Sequence, residues 1–263
     1  MIDLDARYDA AQTIARTAGQ MALKMLADPA SLGIEMKGPQ DFVTAADRAV
    51  ERYVSQALKA AFPDDGFLGE ETADLAHFVP DAVLWVVDPI DGTSNFAAGR
   101  PDWCVSIGLI VEGVPEIGVI YQATLDRLCA ARRGHGAWRD GTRLHVADRP
   151  IATATIGLDH SGNASLALHL EQINAILTAG GEYRRNGSAA VSLSQVAQGT
   201  LDGFAEMFLW PWDVMAGIVL VTEAGGWCSP FLASAGLAKG AGFIACSPTV
   251  RDRMVSLPGW NAG

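Results

Sequence analysis

Apolar residues recur at helical spacing at Ala11, Ile14, Ala18, Met21, Ala22 and Met25, which predicts a helix over residues 3 to 27 packed on a core. Lys37 to Val43 reads as loop and short extended segment. The helical period returns at Ala46, Val50, Tyr53, Val54, Ala57, Leu58 and Ala61, after Thr44-x-x-Asp47, which has the layout of a capping box with Asp in place of Glu. Pro63-Asp-Asp-Gly66 ends this second helix, and Phe67-Leu68 reads as a short strand leading into Gly69-Glu70-Glu71. The period then disappears. Val83 to Val87 is a continuous apolar, β-branched run, the mark of a buried strand, and it stops at Asp88-Pro89 because proline bars a continuing ladder.

Downstream, Cys104 to Val111 and Pro115 to Tyr121 flank a Glu112-Gly113 turn, Leu128 to Ala131 follows, and Asp140-Gly141 makes another turn; this half reads as a meandering antiparallel sheet. From about Pro150 strands and helices alternate: strand 154–158, helix 164–179, strand at Tyr183, helix 190–198, strand 204–207, helix 212–224, strands 226–228 and 242–246, and a short C-terminal helix. Such alternation predicts a sheet covered by helices. The change near residue 150 is the one candidate boundary, so 1–150 and 151–263 are candidate subdomains of a single compact unit, 1–263.

At 263 residues with 49% hydrophobic content, the chain can bury a full core. Its formal charge of −11 argues against nucleic acid or an anionic membrane as partner. The start, Met1-Ile-Asp-Leu-Asp-Ala-Arg, lacks the basic and apolar regions of a signal peptide, and no apolar run reaches membrane-spanning length, so a cytoplasmic protein is expected. Cys104, Cys129, Cys228 and Cys246 are scattered and read as buried thiols, and the five histidines show no ligand spacing.

The chemistry concentrates at Asp88-Pro89-Ile90-Asp91-Gly92-Thr93. Pro89 fixes φ and biases Asp88 toward an extended conformation, so Asp88 and Asp91 can turn to one side with the Ile90 carbonyl between them. These are hard oxygen donors, suited to Mg²⁺. Gly92-Thr93 adds consecutive N–H groups and a hydroxyl at an expected helix start, where phosphate binds well. Plainer roles compete: Asp-Pro and Asp-Gly form ordinary turns, Glu70-Glu71 suits a solvated loop, Asp213 suits an N-cap worth about 1 kcal/mol, and Tyr183 to Ala190 suits a tight connection with surface arginines.

In order and spacing together, Asp41-x-x-Thr44-x-x-Asp47, Gly69-Glu70-Glu71, Asp88-Pro89-Ile90-Asp91-Gly92-Thr93-x-Asn95-Phe96, Gly187-Ser188-Ala189-Ala190, Glu206 and Trp212-Asp213-x-x-Ala216-Gly217 resemble the inositol monophosphatase family of Mg²⁺-dependent phosphatases, over nearly the whole chain. The resemblance implies an α+β fold, the layered α/β/α/β/α sandwich shared with fructose-1,6-bisphosphatase, often as a homodimer. By the same resemblance Glu70, Asp88, the Ile90 carbonyl, Asp91 and Asp213 ligate two or three Mg²⁺ ions. Asp47, Glu70 and Thr93 form the catalytic set, with Asp47 and Thr93 orienting and helping to deprotonate the attacking water. The N–H groups of Gly92 and Thr93 hold the phosphate, and Asp91, Ala189, Glu206 and Asp213 complete the substrate-binding set.

Phosphate monoesters hydrolyse extremely slowly in water, and two metals can stabilise the attacking and leaving oxygens together. With no His nucleophile and no Cys-x5-Arg loop, in-line attack by metal-activated water is favoured. The expected activity is hydrolysis of a small polyol phosphate such as inositol 1-phosphate. Histidinol-phosphate phosphatase is the rival within the family, and a non-catalytic regulatory protein retaining the fold is the rival from another class.

Overall fold

A computed structural model describes residues 2–28, 35–38, 41–75, 80, 82–162, 164–233 and 236–260, and of residues 35–38 and 41–43 the backbone alone. The loop expected at Pro39-Gln40 and the side chain of Asp41 lie outside these residues. The chain opens with α1 (Leu4–Leu26), whose N-cap Asp3 accepts from the Ala6 amide at 3.0 Å. A hairpin of β1 (Glu35–Gly38) and β2 (Asp41–Val43) leads to α2 (Ala45–Ala61), and both arms of the expected capping box at Thr44 and Asp47 are formed.

Next come β3 (Gly66–Gly69), β4 (Val83–Asp91), the short helix α3 (Thr93–Ala97), β5 (Cys104–Val111), β6 (Val114–Gln122), β7 (Arg127–Arg132), β8 (Ala137–Arg139) and β9 (Thr142–Arg143). The seven strands form one sheet in sequence order, with β3 parallel to β4 and every later neighbour antiparallel. Its two tight turns place Glu112-Gly113 at φ 49° and 78° and Asp140-Gly141 at 46° and 84°, the doubly left-handed geometry that matches strand twist. One expectation is corrected: β4 does not stop at Pro89 but runs on to Asp91. The ladder to β5 breaks its register between Asp88 and Asp91 and resumes at the Asp91–Cys104 pair, so proline sits in an irregularity where its missing N–H costs no ladder bond.

The rest of the chain supplies β10 (Thr155–Leu158), α4 (Leu166–Thr178), β11 (Glu182–Arg184), α5 (Ala189–Ala197), β12 (Gly203–Leu209), α6 (Pro211–Glu223), β13 (Trp227–Cys228), α7 (Gly236–Lys239), β14 (Ala241–Cys246) and α8 (Arg251–Val255). Five strands pair in the order β11-β10-β12-β14-β13, with β10 parallel to both neighbours and β14 antiparallel to both of its own. The single turn of α7 was not legible in the apolar pattern.

Alternate residues of each strand feed different cores, and this sets the layers. Trp85, Val87, Val105, Ile107 and Val119 pack against α1 and α2. Leu84, Val86, Ile110 and Ile120 face the other way, onto α5 and α6, which meet Phe204, Phe243 and Ala245 of the second sheet on their far side. Ile156, Leu158, Ile244 and Cys246 then cover Ile176 of α4 and Met254 of α8. The result is the α+β sandwich of five layers, α/β/α/β/α. Helix α6 lies very close to the first sheet: a Cβ on Gly118 would stand 2.2 Å from the Ala216 carbonyl oxygen. Among the described residues no helix is long and apolar enough to cross a membrane, and all four cysteines are free thiols.

Candidate active site

The end of β4 and the turn into α3 bring the first group of polar atoms together. Asp88 is buried, and its Oδ1 accepts from the Ile90 amide at 3.0 Å, which folds the Asp-Pro-Ile segment back on itself. Gly92 follows at φ 91°, where a Cβ would come 2.8 Å from the Asp102 carbonyl oxygen, so only glycine fits this corner. It is the N-cap of α3 and offers no side-chain cap, leaving the first N–H groups of the turn to an outside acceptor. The Thr93 hydroxyl stands 3.0 Å from the Ile90 carbonyl and 3.2 Å from Asp47 Oδ1. Asp47 is itself held by Thr44, whose amide and hydroxyl donate to Oδ2 at 2.8 and 2.5 Å. The capping box of α2 thus fixes the carboxylate expected to receive a proton.

The other half of the molecule supplies the rest. Asp91 Oδ2 accepts from the Ser188 hydroxyl at 2.5 Å and the Ala190 amide at 2.6 Å, so the start of α5 grips a carboxylate from the opposite sheet. The stretch from Gly187 to Ala190 serves here to anchor a site acid. Asn95 reinforces it, its Nδ2 donating to the Asp102 carbonyl at 2.7 Å and the Asn186 carbonyl at 2.8 Å. Asp213 is the third residue of α6 rather than its N-cap, and its Oδ2 reaches back to the Trp210 amide at 2.6 Å.

Asp88, Asp91 and Asp213 each place one carboxylate oxygen within 4.8 Å of the others. Burial pushes all three above the usual carboxylate range, Asp213 to about 8, and on Asp88 and Asp213 the charges of neighbouring acids add to it. On Asp91 the bonds from Ser188 and the α5 amides work against that rise. Three acids at such separation, Asp88 and Asp91 buried and Asp213 half-buried, suit a divalent cation, whose charge would answer both the desolvation and the repulsion. Glu70 follows β3 outside this triad, but its charge is the largest acting on Asp88, so it stands close by. Glu206 on β12 is buried and raised well above its usual range, first by burial and then by Asp159, Asp213 and Asp91. Ala189 opens α5 beside Asp91, while Arg184 pairs with Glu182 at the surface at 2.6 Å, away from this chemistry.

Two further acids escaped the sequence. Glu51, 1% exposed on the inner face of α2, accepts from the Glu71 amide at 2.8 Å and so positions the turn that carries Glu70. Its signal was a charged residue within an apolar helical stripe. Asp159, just past β10, accepts from the Gly187 amide at 3.0 Å and is pushed up to about 6 by burial. Nothing local distinguishes it, because the groups that give it meaning lie far along the chain.

Comparison with known proteins places this geometry. A family model described as the inositol monophosphatase family matches residues 3–250. The chain is 36% identical over 246 residues to the inositol-1-monophosphatase of Rhizobium meliloti strain 1021, covering 92% of this chain and 89% of that one. It is 34% identical over 245 residues to a protein of Escherichia coli strain K12 named Nus factor SuhB, covering 92% and 91%. The crystal structure of the extragenic suppressor protein suhB from Bartonella henselae superposes with a TM-score of 0.85 at 31% identity, over 94% of this chain and 95% of that one.

Proposed function

This chain belongs to the inositol monophosphatase family, and from that membership we propose that it is a Mg²⁺-dependent phosphomonoesterase acting on a small polyol phosphate such as inositol 1-phosphate. The observation that carries the reading is the meeting of Asp88, Asp91 and Asp213 beside the Thr93–Asp47 contact. Asp88, Asp91, Asp213, Glu70 and the Ile90 carbonyl would hold two or three Mg²⁺ ions. Bound there, the ions supply Lewis acidity toward the attacking water and charge neutralisation at the leaving oxygen.

The chain's own groups account for the remaining steps. The Thr93 hydroxyl has one proton for two acceptors, and placing it on Asp47 leaves the Thr93 oxygen free to accept from the attacking water. Asp47, already raised by burial, then receives the proton through Thr93. Gly92 and Thr93 present uncapped N–H groups to the phosphate oxygens. Glu206, Ala189, Asp91 and Asp213 face the rest of the substrate. We further propose that the protein works in the cytoplasm as a homodimer, a state that sedimentation would check.

The test is phosphate release from inositol 1-phosphate, histidinol phosphate, 3′-phosphoadenosine 5′-phosphate, fructose 1,6-bisphosphate and glycerol 2-phosphate, with and without Mg²⁺. A preference for inositol 1-phosphate supports the polyol reading, and a preference for histidinol phosphate replaces it by the rival within the family. The Nus factor name of a relative keeps a regulatory reading in view. Absence of Mg²⁺-dependent release from every substrate would favour it.

A further inference from the structure

Two histidines that the steps above do not use meet where β10 ends and α4 begins. His160, half-buried, follows the last residue of β10 by two positions. His169 lies on the buried face of α4, 6% exposed, with its amide held by the Ser165 carbonyl at 3.1 Å. Far apart for any local ligand spacing, the two rings nevertheless stand 5.1 Å apart, centre to centre, with their planes tilted by 56°. Tyr183 of β11 also packs edge-on against His169, at 6.4 Å. Aromatic rings in plain contact reach similar separations, so the spacing alone decides nothing. The deciding atom is His160 Nε2, which among the described residues is buried with no hydrogen-bond partner. Buried polar atoms are nearly always bonded, and a bare imidazole nitrogen beside a second imidazole calls for a partner that both rings can share. A metal ion is such a partner. Two imidazoles on one tetrahedral ion, each nitrogen about 2.0–2.1 Å from it, hold their ring centres about 5 Å apart, which is the separation observed.

We propose that His160 and His169 form a second metal site, separate from the cluster of acids, which takes a divalent ion of the borderline class such as Zn²⁺ through two imidazole nitrogens, with water in the remaining positions. Nitrogen donors select Zn²⁺, Cu²⁺ or Ni²⁺, whereas the oxygen donors of Asp88, Asp91 and Asp213 suit Mg²⁺. An imidazole must be neutral to ligate, and burial, His160 and Arg185 together hold His169 below its usual value, which favours that form. Arg185 opposes a cation here. Its charge is also turned on Asp159, however, whose carboxylate directly precedes His160 and offsets it. The site owes nothing to the phosphatase reading. Its ion would tie the start of α4 to the end of β10, fixing both ends of the turn between them.

Cu²⁺ is the first probe, because electron paramagnetic resonance counts the nitrogens bound to it and carboxylates contribute none. With Mg²⁺ in excess, protein given one equivalent of Cu²⁺ should show the splitting pattern of two imidazole nitrogens. His160→Phe and His169→Phe each keep an aromatic ring and remove one ligand. Either should abolish the two-nitrogen pattern and, in a calorimetric titration with Zn²⁺ in the same excess of Mg²⁺, weaken binding at least about tenfold. His135→Phe, on the exposed turn between β7 and β8, should change neither. A wild-type spectrum with fewer than two imidazole nitrogens would overturn the proposal, as would a two-nitrogen pattern and a Zn²⁺ affinity that survive both substitutions. Should neither variant fold, imidazole NMR of the wild-type protein decides: Zn²⁺ should shift the ring signals of His160 and His169 and leave that of His135 in place, and unmoved signals from the pair would overturn the site.

Discussion

Asp88 has the most charges against it: Glu70, Asp91, Asp213 and Asp47 all act on a carboxyl that is already buried. Asp88→Asn should therefore leave a protein that folds, that melts higher than wild type without metal, and that no longer gains from Mg²⁺. Its turnover should fall at least about 10²-fold, since it loses a group that places charge at the reacting oxygens. Near-wild-type turnover would refute its role as ligand. The same repulsion sets a pH dependence. An acid whose folded value lies above its unfolded one stabilises the fold at low pH and loses that contribution as pH rises through the folded value. With Asp213 moved from 3.8 to about 8 and Asp159 to about 6, the window runs from about pH 4 to about pH 8. Chelator-treated protein should lose about 1 kcal/mol per pH unit for each acid so held, and a melting temperature flat between pH 5 and pH 8 would contradict this. Residues 88 to 93 were legible because their chemistry is contiguous. Glu51 and Asp159 were not, because a bond to the Glu71 amide or the Gly187 amide leaves no local trace.

Elements were read well where one period governs them. The stripes of α1 and α2, the Glu112-Gly113 turn and the alternation after residue 150 all have structural counterparts. What escaped was the joining of elements. The strand β4 passes through Pro89 because a register break absorbs it, and α5 caps an acid from the other sheet. Asn95 is the clearest such joint, one amide group tying the turn of α3 to the carbonyls of residues 102 and 186. Asn95→Ala would leave both carbonyls without this donor, so a loss of about 1–3 kcal/mol is expected, together with weaker Mg²⁺ activation as Ser188 loosens its hold on Asp91. Thermal melting and a Mg²⁺ titration of activity check the two effects. An unchanged Mg²⁺ requirement would mean that α5 is held in place by packing alone.

Across the whole molecule, α5 and α6 lie between the sheets and share one core with both, so we propose that the chain unfolds as a single unit. Calorimetry should show one transition, and two separable ones would divide it near residue 150. Mg²⁺ should raise that transition, by a margin that grows with its concentration above the dissociation constant. Equal melting with and without Mg²⁺ after chelation would count against a built cation site. The distribution of the acids along the chain also bears on synthesis. Asp88 and Asp91 leave the ribosome early, on a strand whose sheet can already pair with its neighbours. The helix that holds Asp91 and the residue that completes the triad emerge only with the second sheet. A nascent chain halted before α6 therefore cannot trap a cation among three acids, and metal capture becomes a sign that translation has passed the last essential segment.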